Sequence, residues 1–237
     1  MSNVSSAQAL EEIRKEGKRR LYPSLANPNW LVLRKRRQVF ANWLKRLNQK
    51  DLVVLDVGGR IQPYRPLVAD VASRYISVDL GVTPLVDVVG DAARLPVRDA
   101  CVNIVLCTQV LEYVPEPKQV IAEIHRVLRP TGFVLLSAPA VFPQDSEREY
   151  WRFLPRALTE LFKDFASVDL VAEGSTLTGI FRTFNVCLAS FAPGRGLRKL
   201  LCFTIVPAIN LAGAALEALK ITRDTRFTAN FSIMAQK

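Results

Sequence analysis

VVLDVGGR (Val53–Arg60), YISVDL (Tyr75–Leu80), GDAARLP (Gly90–Pro96) and VNIVLCTQ (Val102–Gln109) follow one another within one stretch, Leu52–Gln109. The apolar runs are short and rich in β-branched residues, and each stops at a polar residue or a glycine. That pattern predicts buried parallel strands whose carboxyl ends carry function. In open α/β sheets, ligands bind just beyond those ends. Three acids, Asp56, Asp79 and Asp91, fall there.

Upstream, Val39, Phe40, Trp43, Leu44 and Leu47 recur at helical spacing within Trp30–Leu47, and Arg36, Arg37, Lys45 and Arg46 fill the other face. This predicts an amphipathic helix laid on the domain as a leading cover. Residues 1–26 are polar and charged and read as a loosely held arm. Downstream, strands are expected at Arg74–Asp79, Leu85–Val89, Val102–Thr108, Phe133–Ala138 and Val168–Val171. Helices are expected over Leu67–Ser73, from Pro117 to the Pro130-Thr131-Gly132 break, and after Pro155. In the last strand Phe227, Ala229, Phe231, Ile233 and Ala235 alternate with Thr228, Asn230, Ser232 and Met234. Together these predict a three-layer α/β Rossmann-like domain over 51–237, its seven-stranded sheet mostly parallel with an antiparallel last strand. Residues 1–50, the basic arm and amphipathic helix, precede it.

The segment 174–224 lies outside that minimal plan. It holds LLCFTIVPAINLAGAALEAL (Leu200–Leu219), preceded by Arg195, Arg198 and Lys199. Twenty mostly apolar residues approach a membrane-spanning length, but Pro207, Asn210, Glu217 and the returning strand argue against a span. A helical hairpin packed on the domain is the favoured reading, and a helix dipping into a membrane surface the alternative.

The chain of 237 residues can bury a full core, and with 49% hydrophobic residues it is not a disordered chain. Residues 1–50 carry twelve Lys or Arg against three acids, which is nearly all of the net charge of +10. Such an arm suits anionic lipid, nucleic acid or a phosphorylated substrate, or is a solvated helix face. The four cysteines are scattered without a CxxC pair and the one histidine, His125, has no clustered partners, so no metal site is expected. The polar first twenty residues do not read as a secretory signal, and a cytoplasmic location is expected, with membrane association open.

A glycine turn after the first strand lets backbone approach a ligand, and an acid ending the second strand can accept both hydroxyls of a ribose. The dinucleotide fingerprint GxGxxG is absent from Gly58-Gly59-Arg60-Ile61-Gln62-Pro63, and Asp91 is no part of it. The ordered set VLDVGG, ISVDL, GDAARLP, CTQVLEYVPEP and HRVLRPTGFVLLSAP resembles class I S-adenosylmethionine-dependent methyltransferases. Within them it is similar to a subgroup with PYRP (Pro63–Pro66) and YWRF (Tyr150–Phe153) stretches. The resemblance implies S-adenosyl-L-methionine as cofactor. Asp56, Gly58, Gly59 and Arg60 would line its methionine end, and Asp79 its ribose with Leu80 on the adenine. Asp91 and Ala92 would meet the adenine amine, and Thr108 and Gln109 would close the pocket near the sulfonium. Tyr64, Tyr113, Trp151 and Arg152 are candidates for the acceptor site, and Tyr150 or Glu112 for a base.

The sequence also departs from the family pattern. Arg60 replaces a glycine, so it either reaches the cofactor carboxylate or covers the pocket. Tyr113 replaces a histidine, and Gln144 and Asp145 stand where another is common. Asp56, Asp79 and Asp91 can each also be read as turn-capping acids, and Tyr150, Trp151 and Arg152 as a cluster bracing the domain. The expected activity is methyl transfer to a small-molecule, glycan or lipid-linked acceptor. A catalytically silent binding protein is the alternative. Nucleic-acid methylation is less favoured, because the N/D-P-P-Y/F motif is missing and Ala138-Pro139-Ala140 is no substitute.

Overall fold

A computed structural model of the chain describes residues 6–144 and 146–237. Asp145 and the first five residues of the arm lie outside them. Seven strands form one sheet: β1 Leu52–Val57, β2 Ala72–Asp79, β3 Val88–Val89, β4 Val102–Thr108, β5 Leu128–Pro139, β6 Ser167–Ala172 and β7 Asn230–Gln236. Their order is β3-β2-β1-β4-β5-β7-β6. The first five strands pair in parallel, and β7 runs antiparallel to both neighbours. This is the Rossmann-like α/β sheet expected. Strand order reverses between β1 and β4, where the carboxyl ends of parallel strands open a crevice.

Helices α1 Ser6–Leu21, α2 Trp30–Leu47, α3 Arg65–Val68, α4 Pro117–Val127 and α5 Pro155–Leu161 surround the sheet, and α6 Thr176–Phe191 and α7 Gly194–Ala218 form a pair before β7. One core layer joins α4 and α5 to the sheet through Ile121, Ile124, Leu158 and Phe162. The other joins α2 through Phe40, Trp43 and Leu44 to Val54, Ile104 and Leu135. The Trp43 indole N–H reaches across to Asp169 Oδ2 at 2.8 Å, fixing α2 on β6.

Several expectations are corrected. Residues 6–21 are helical rather than a loose arm: Leu10, Ile13, Gly17 and Leu21 make a narrow inward stripe among the charges. At Gly17 a Cβ would lie 2.5 Å from the Ile61 carbonyl oxygen, so only glycine lets α1 approach that loop. The helix expected over Leu67–Ser73 stops at Val68, because Ala72 already pairs with Leu52. The third strand shrinks to two residues, since the Leu85 carbonyl accepts from Ser77 Oγ and Gln62 Nε2 instead of a ladder partner. The last strand starts at Asn230, because the Thr228 hydroxyl turns back to the Gly174 carbonyl. Both faces of β7 are largely buried, so its polar alternation faces other protein rather than water.

Candidate active site

A cavity of about 650 Å3 lies beyond the carboxyl ends of β1, β2 and β4. Backbone builds the side of the cavity next to β1 and β2. The amides of Gly58 and Gly59 both donate to the Val78 carbonyl, which locks the turn after β1 against β2. Gly58 has φ +76°, and a Cβ there would sit 2.3 Å from Val110 Cγ2, so the turn requires glycine. Asp79, at the end of β2, accepts the Gly81 amide on Oδ1 at 2.7 Å; Asp91 accepts the Ala93 amide on Oδ1 at 2.9 Å. Each acid thus caps a turn and also lines the cavity, so the capping and binding readings coexist. Gly58, Arg60, Leu80, Ala92, Thr108 and Gln109 line the same space.

Asp56 and Gly59 are not among the lining residues. Asp56 is buried beneath them and accepts from the Tyr75 hydroxyl. Burial pushes its carboxyl up to about 7, against that hydrogen bond, and the charge of Asp79 adds to the rise. A Cβ on Gly59 would meet Ser77 Cβ at 2.8 Å, so this glycine serves strand packing. Arg60 extends toward Gly81, whose ideal Cβ lies 3.5 Å from Arg60 Cδ, and so stands beside Asp79 at the rim.

The other end of the cavity is built by residues far apart in sequence. A short 3-10 turn, Leu111–Tyr113, follows β4 and carries Glu112, which is 2% exposed. Glu112 Oε2 is buried without a hydrogen-bond partner. Burial pushes its carboxyl up to about 7, opposed by its own backbone and by Arg36, and reinforced by Glu149. Tyr64 and Tyr113 line the cavity as well; Tyr64 is buried against Phe40, with ring centroids 5.1 Å apart, and faces Arg36.

Tyr150, Trp151 and Arg152 do not line the cavity. Tyr150 is 61% exposed, and its amide donates to the Glu112 carbonyl at 2.7 Å. The Trp151 indole N–H donates to the Val114 carbonyl at 2.9 Å. The Arg152 guanidinium gathers the carbonyls of Phe142, Pro143 and Trp151 and the Glu149 carboxylate. The YWRF stretch is therefore a strap. It holds the turn bearing Glu112 and the loop whose Phe142, Arg148 and Glu149 face the cavity.

Two buried arginines at this end were not singled out from the sequence. Arg36 of α2 donates from Nε to Glu173 Oε1 at 2.8 Å, and the Ser232 hydroxyl donates to the same oxygen at 2.7 Å. Burial opposes the charge of Arg36, but Glu173 outweighs it and raises its pKa. Asn230, its amide oriented to suit its neighbours, accepts from Arg36 Nη2 and Gln109 Nε2, both at 2.9 Å. Asn230, the first residue of β7, thus lines the cavity. Gln109 has a left-handed φ of 55°, a strained conformation for a residue other than glycine, and it sits where β4 opens into the site. Arg182 of α6 is buried, stacks 3.8 Å over the Phe142 ring, and donates from Nε to Asn29 at 2.8 Å. No motif marks these residues: Arg36 and Glu173 meet across 137 positions, and Arg182 and Asn29 across 153. Among the described residues no cluster of three or more potential metal ligands occurs.

The arrangement fits the implied cofactor. Two carboxylates on adjacent strand ends suit hydroxyl and amine donors, and apolar Leu80 and Ala92 flank them. Comparison with known proteins agrees. Residues 55–136 match the family described as "Methyltransferase domain". A protein of Mycolicibacterium smegmatis named "Probable S-adenosylmethionine-dependent methyltransferase" is 35% identical over 130 residues, which cover 51% of this chain and 49% of that protein. The chain thus spans about half the length of this relative. An S-adenosylmethionine-dependent methyltransferase of Archaeoglobus fulgidus superposes with a TM-score of 0.53 at 16% identity, covering 85% of this chain and 94% of the other. The [4+2]-cyclase SpnF superposes with a TM-score of 0.54 at 20% identity, covering 85% and 80%. These two show the fold alone, and the cyclase is a reminder that the fold hosts more than one chemistry. Motif order, sheet topology and sequence match converge: the chain carries a methyltransferase domain of the class I S-adenosylmethionine-dependent family.

Proposed function

We propose that the protein transfers a methyl group from S-adenosylmethionine to a nucleophile on a small-molecule, glycan or lipid-linked acceptor. One observation carries this reading. A single cavity joins the carboxylates suited to the cofactor to a second end where a buried carboxylate oxygen has no partner. Asp79 and Asp91 would bind the ribose and adenine edges, with Gly58 giving close backbone approach. Bound there, S-adenosylmethionine supplies a methyl on a good sulfonium leaving group. The chain's own part is to position and dry the acceptor, and effective molarity from positioning removes roughly 7–11 kcal/mol of barrier. Glu112 accepts the acceptor's proton on Oε2, and a carboxyl near 7 is matched to that task. Arg36 and Arg182, with Arg20 and Arg148, line this end against Glu112 and Glu149, which favours an acceptor bearing negative charge.

The test incubates the full chain with methyl-labelled S-adenosylmethionine and either a bacterial lipid extract or soluble sugar phosphates. Label is expected in one of these anionic classes and reduced in Glu112→Gln. No transfer to either, with S-adenosylhomocysteine still bound, would leave a binding protein and overturn the proposal.

A further inference from the structure

The hairpin α6–α7 leaves a large apolar surface uncovered. Phe191 is 82% exposed, Phe203 67% and Leu200 58%, with Leu197 and Ile205 also exposed. On α6, Ile180 and Phe184 continue the strip along one face. Single exposed apolar residues are ordinary, but a contiguous strip on one element marks an interaction surface. The tip is held by its own packing, with Val186, Ala189 and Val206 buried between the helices. Arg195, Arg198 and Lys199 are exposed among the apolar side chains, and residues 194–206 contain no acid.

α7 is long and apolar enough to cross a membrane by length and composition, but its second half is tied to the domain. Asn210 is buried, takes its Oδ1 contact from Asn185, and donates to the Leu25 and Asn27 carbonyls. Glu217 accepts from the hydroxyls of Ser175 and Thr178. A Cβ on Gly213 would lie 2.9 Å from Leu31 Cδ1, so α7 is close against α2 there. Within α7, Gly194–Ile205, before the buried Val206 and Pro207, is the part not tied down by these contacts. Twelve helical residues reach about 18 Å, short of the roughly 30 Å hydrocarbon core. The segment can enter one leaflet and cannot span.

We infer that the tip of the α6–α7 hairpin is a docking surface for an anionic lipid bilayer, with Phe191, Leu197, Leu200 and Phe203 inserting and Arg195, Arg198 and Lys199 meeting the headgroups. Cation-rich, acid-free apolar helices partition in this way, and each cation adds about fivefold in affinity for an anionic surface. α6 also carries Arg182 into the cavity, so docking places the acceptor end next to the element that meets lipid. The inference goes beyond methyl transfer and does not depend on it.

The experiment is flotation of the full chain with vesicles of phosphatidylcholine alone or mixed with phosphatidylglycerol. The protein is expected to float with the mixed vesicles, less so at high salt. Phe203→Glu or Leu200→Glu lowers binding at least about tenfold, as expected for one lost apolar insertion. Both positions are exposed, so circular dichroism and S-adenosylhomocysteine binding stay unchanged. Phe203→Trp reports insertion directly by a blue-shifted emission with mixed vesicles only. Absence of flotation, or variants that float like the wild type, would overturn the inference. So would a tip that forms a dimer, with Phe203→Glu giving monomers and no vesicle binding by either. Retained S-adenosylhomocysteine binding in each case separates failed docking from failed cofactor recognition.

Discussion

Replacing Glu112 by Gln tests the acceptor end of the site without knowledge of the acceptor. The side chain is 2% exposed, and its carboxyl is pushed from the ordinary 4.5 to about 7, chiefly by burial. Between these values the folded protein holds a proton that the unfolded chain releases. Stability from this group is therefore fully present below about 4.5 and is lost as pH rises through about 7. At about 1.4 kcal/mol per pH unit, the ionised group costs the folded state up to about 3 kcal/mol near pH 8. Gln preserves the shape and cannot ionise, so that cost disappears. Urea denaturation at about pH 5 and about pH 8 is the assay. The variant should resemble the wild type at the lower pH and exceed it by roughly 2–3 kcal/mol at the higher. Its methyl transfer should fall by about 10²–10⁴ and lose the limb near pH 7, because only the ionised carboxylate can take a proton. A residue with a purely structural role would lose stability on substitution. A variant less stable than the wild type near pH 8 would refute the burial argument, and one with an unchanged pH profile would refute the role as base.

Other consequences follow from the same geometry. Arg36→Met leaves Glu173 buried with Ser232 as its remaining hydrogen-bond partner. A loss of about 3–5 kcal/mol is expected, read as a Tm lower by roughly 10 °C, with partial recovery in Arg36→Met/Glu173→Gln. Gly58→Ala forces a side chain into a left-handed turn and against Val110. It should cost on the order of 1–3 kcal/mol and weaken S-adenosylhomocysteine binding at least tenfold by calorimetry, whereas unchanged affinity would remove the turn from the cofactor site.

The strand frame was legible because its chemistry is local. Val102–Thr108 is largely apolar and β-branched, is preceded by Asp99-Ala100 and followed by Gln109, and forms a strand over that whole span. Pro117 begins α4 where its missing amide costs nothing. The acids at the strand ends lie where their spacing put them, with Asp79 and Asp91 on the cavity and Asp56 beneath it. What the sequence concealed is long-range. α1 looked like a charged arm because its inward stripe consists of only four residues among the charges and one of them is Gly17. Arg36 looked like part of a solvated face, since nothing near it announces Glu173 or Ser232. Tyr150, Trp151 and Arg152 read from the sequence either as site residues or as a cluster bracing the domain, and local pattern could not choose; their backbone and side-chain donors brace the turn that carries Glu112. Local pattern reports periodicity and turns, whereas a buried charge pair is a property of two distant segments together.

Calorimetric titration with S-adenosylmethionine and S-adenosylhomocysteine, on the wild type and on Asp79→Ala, tests the central claim most directly. The wild type should bind both with micromolar affinity and the variant at least tenfold more weakly, since the ribose hydroxyls lose a charged acceptor. Absence of binding to the wild type, or equal binding by Asp79→Ala, would contradict that claim.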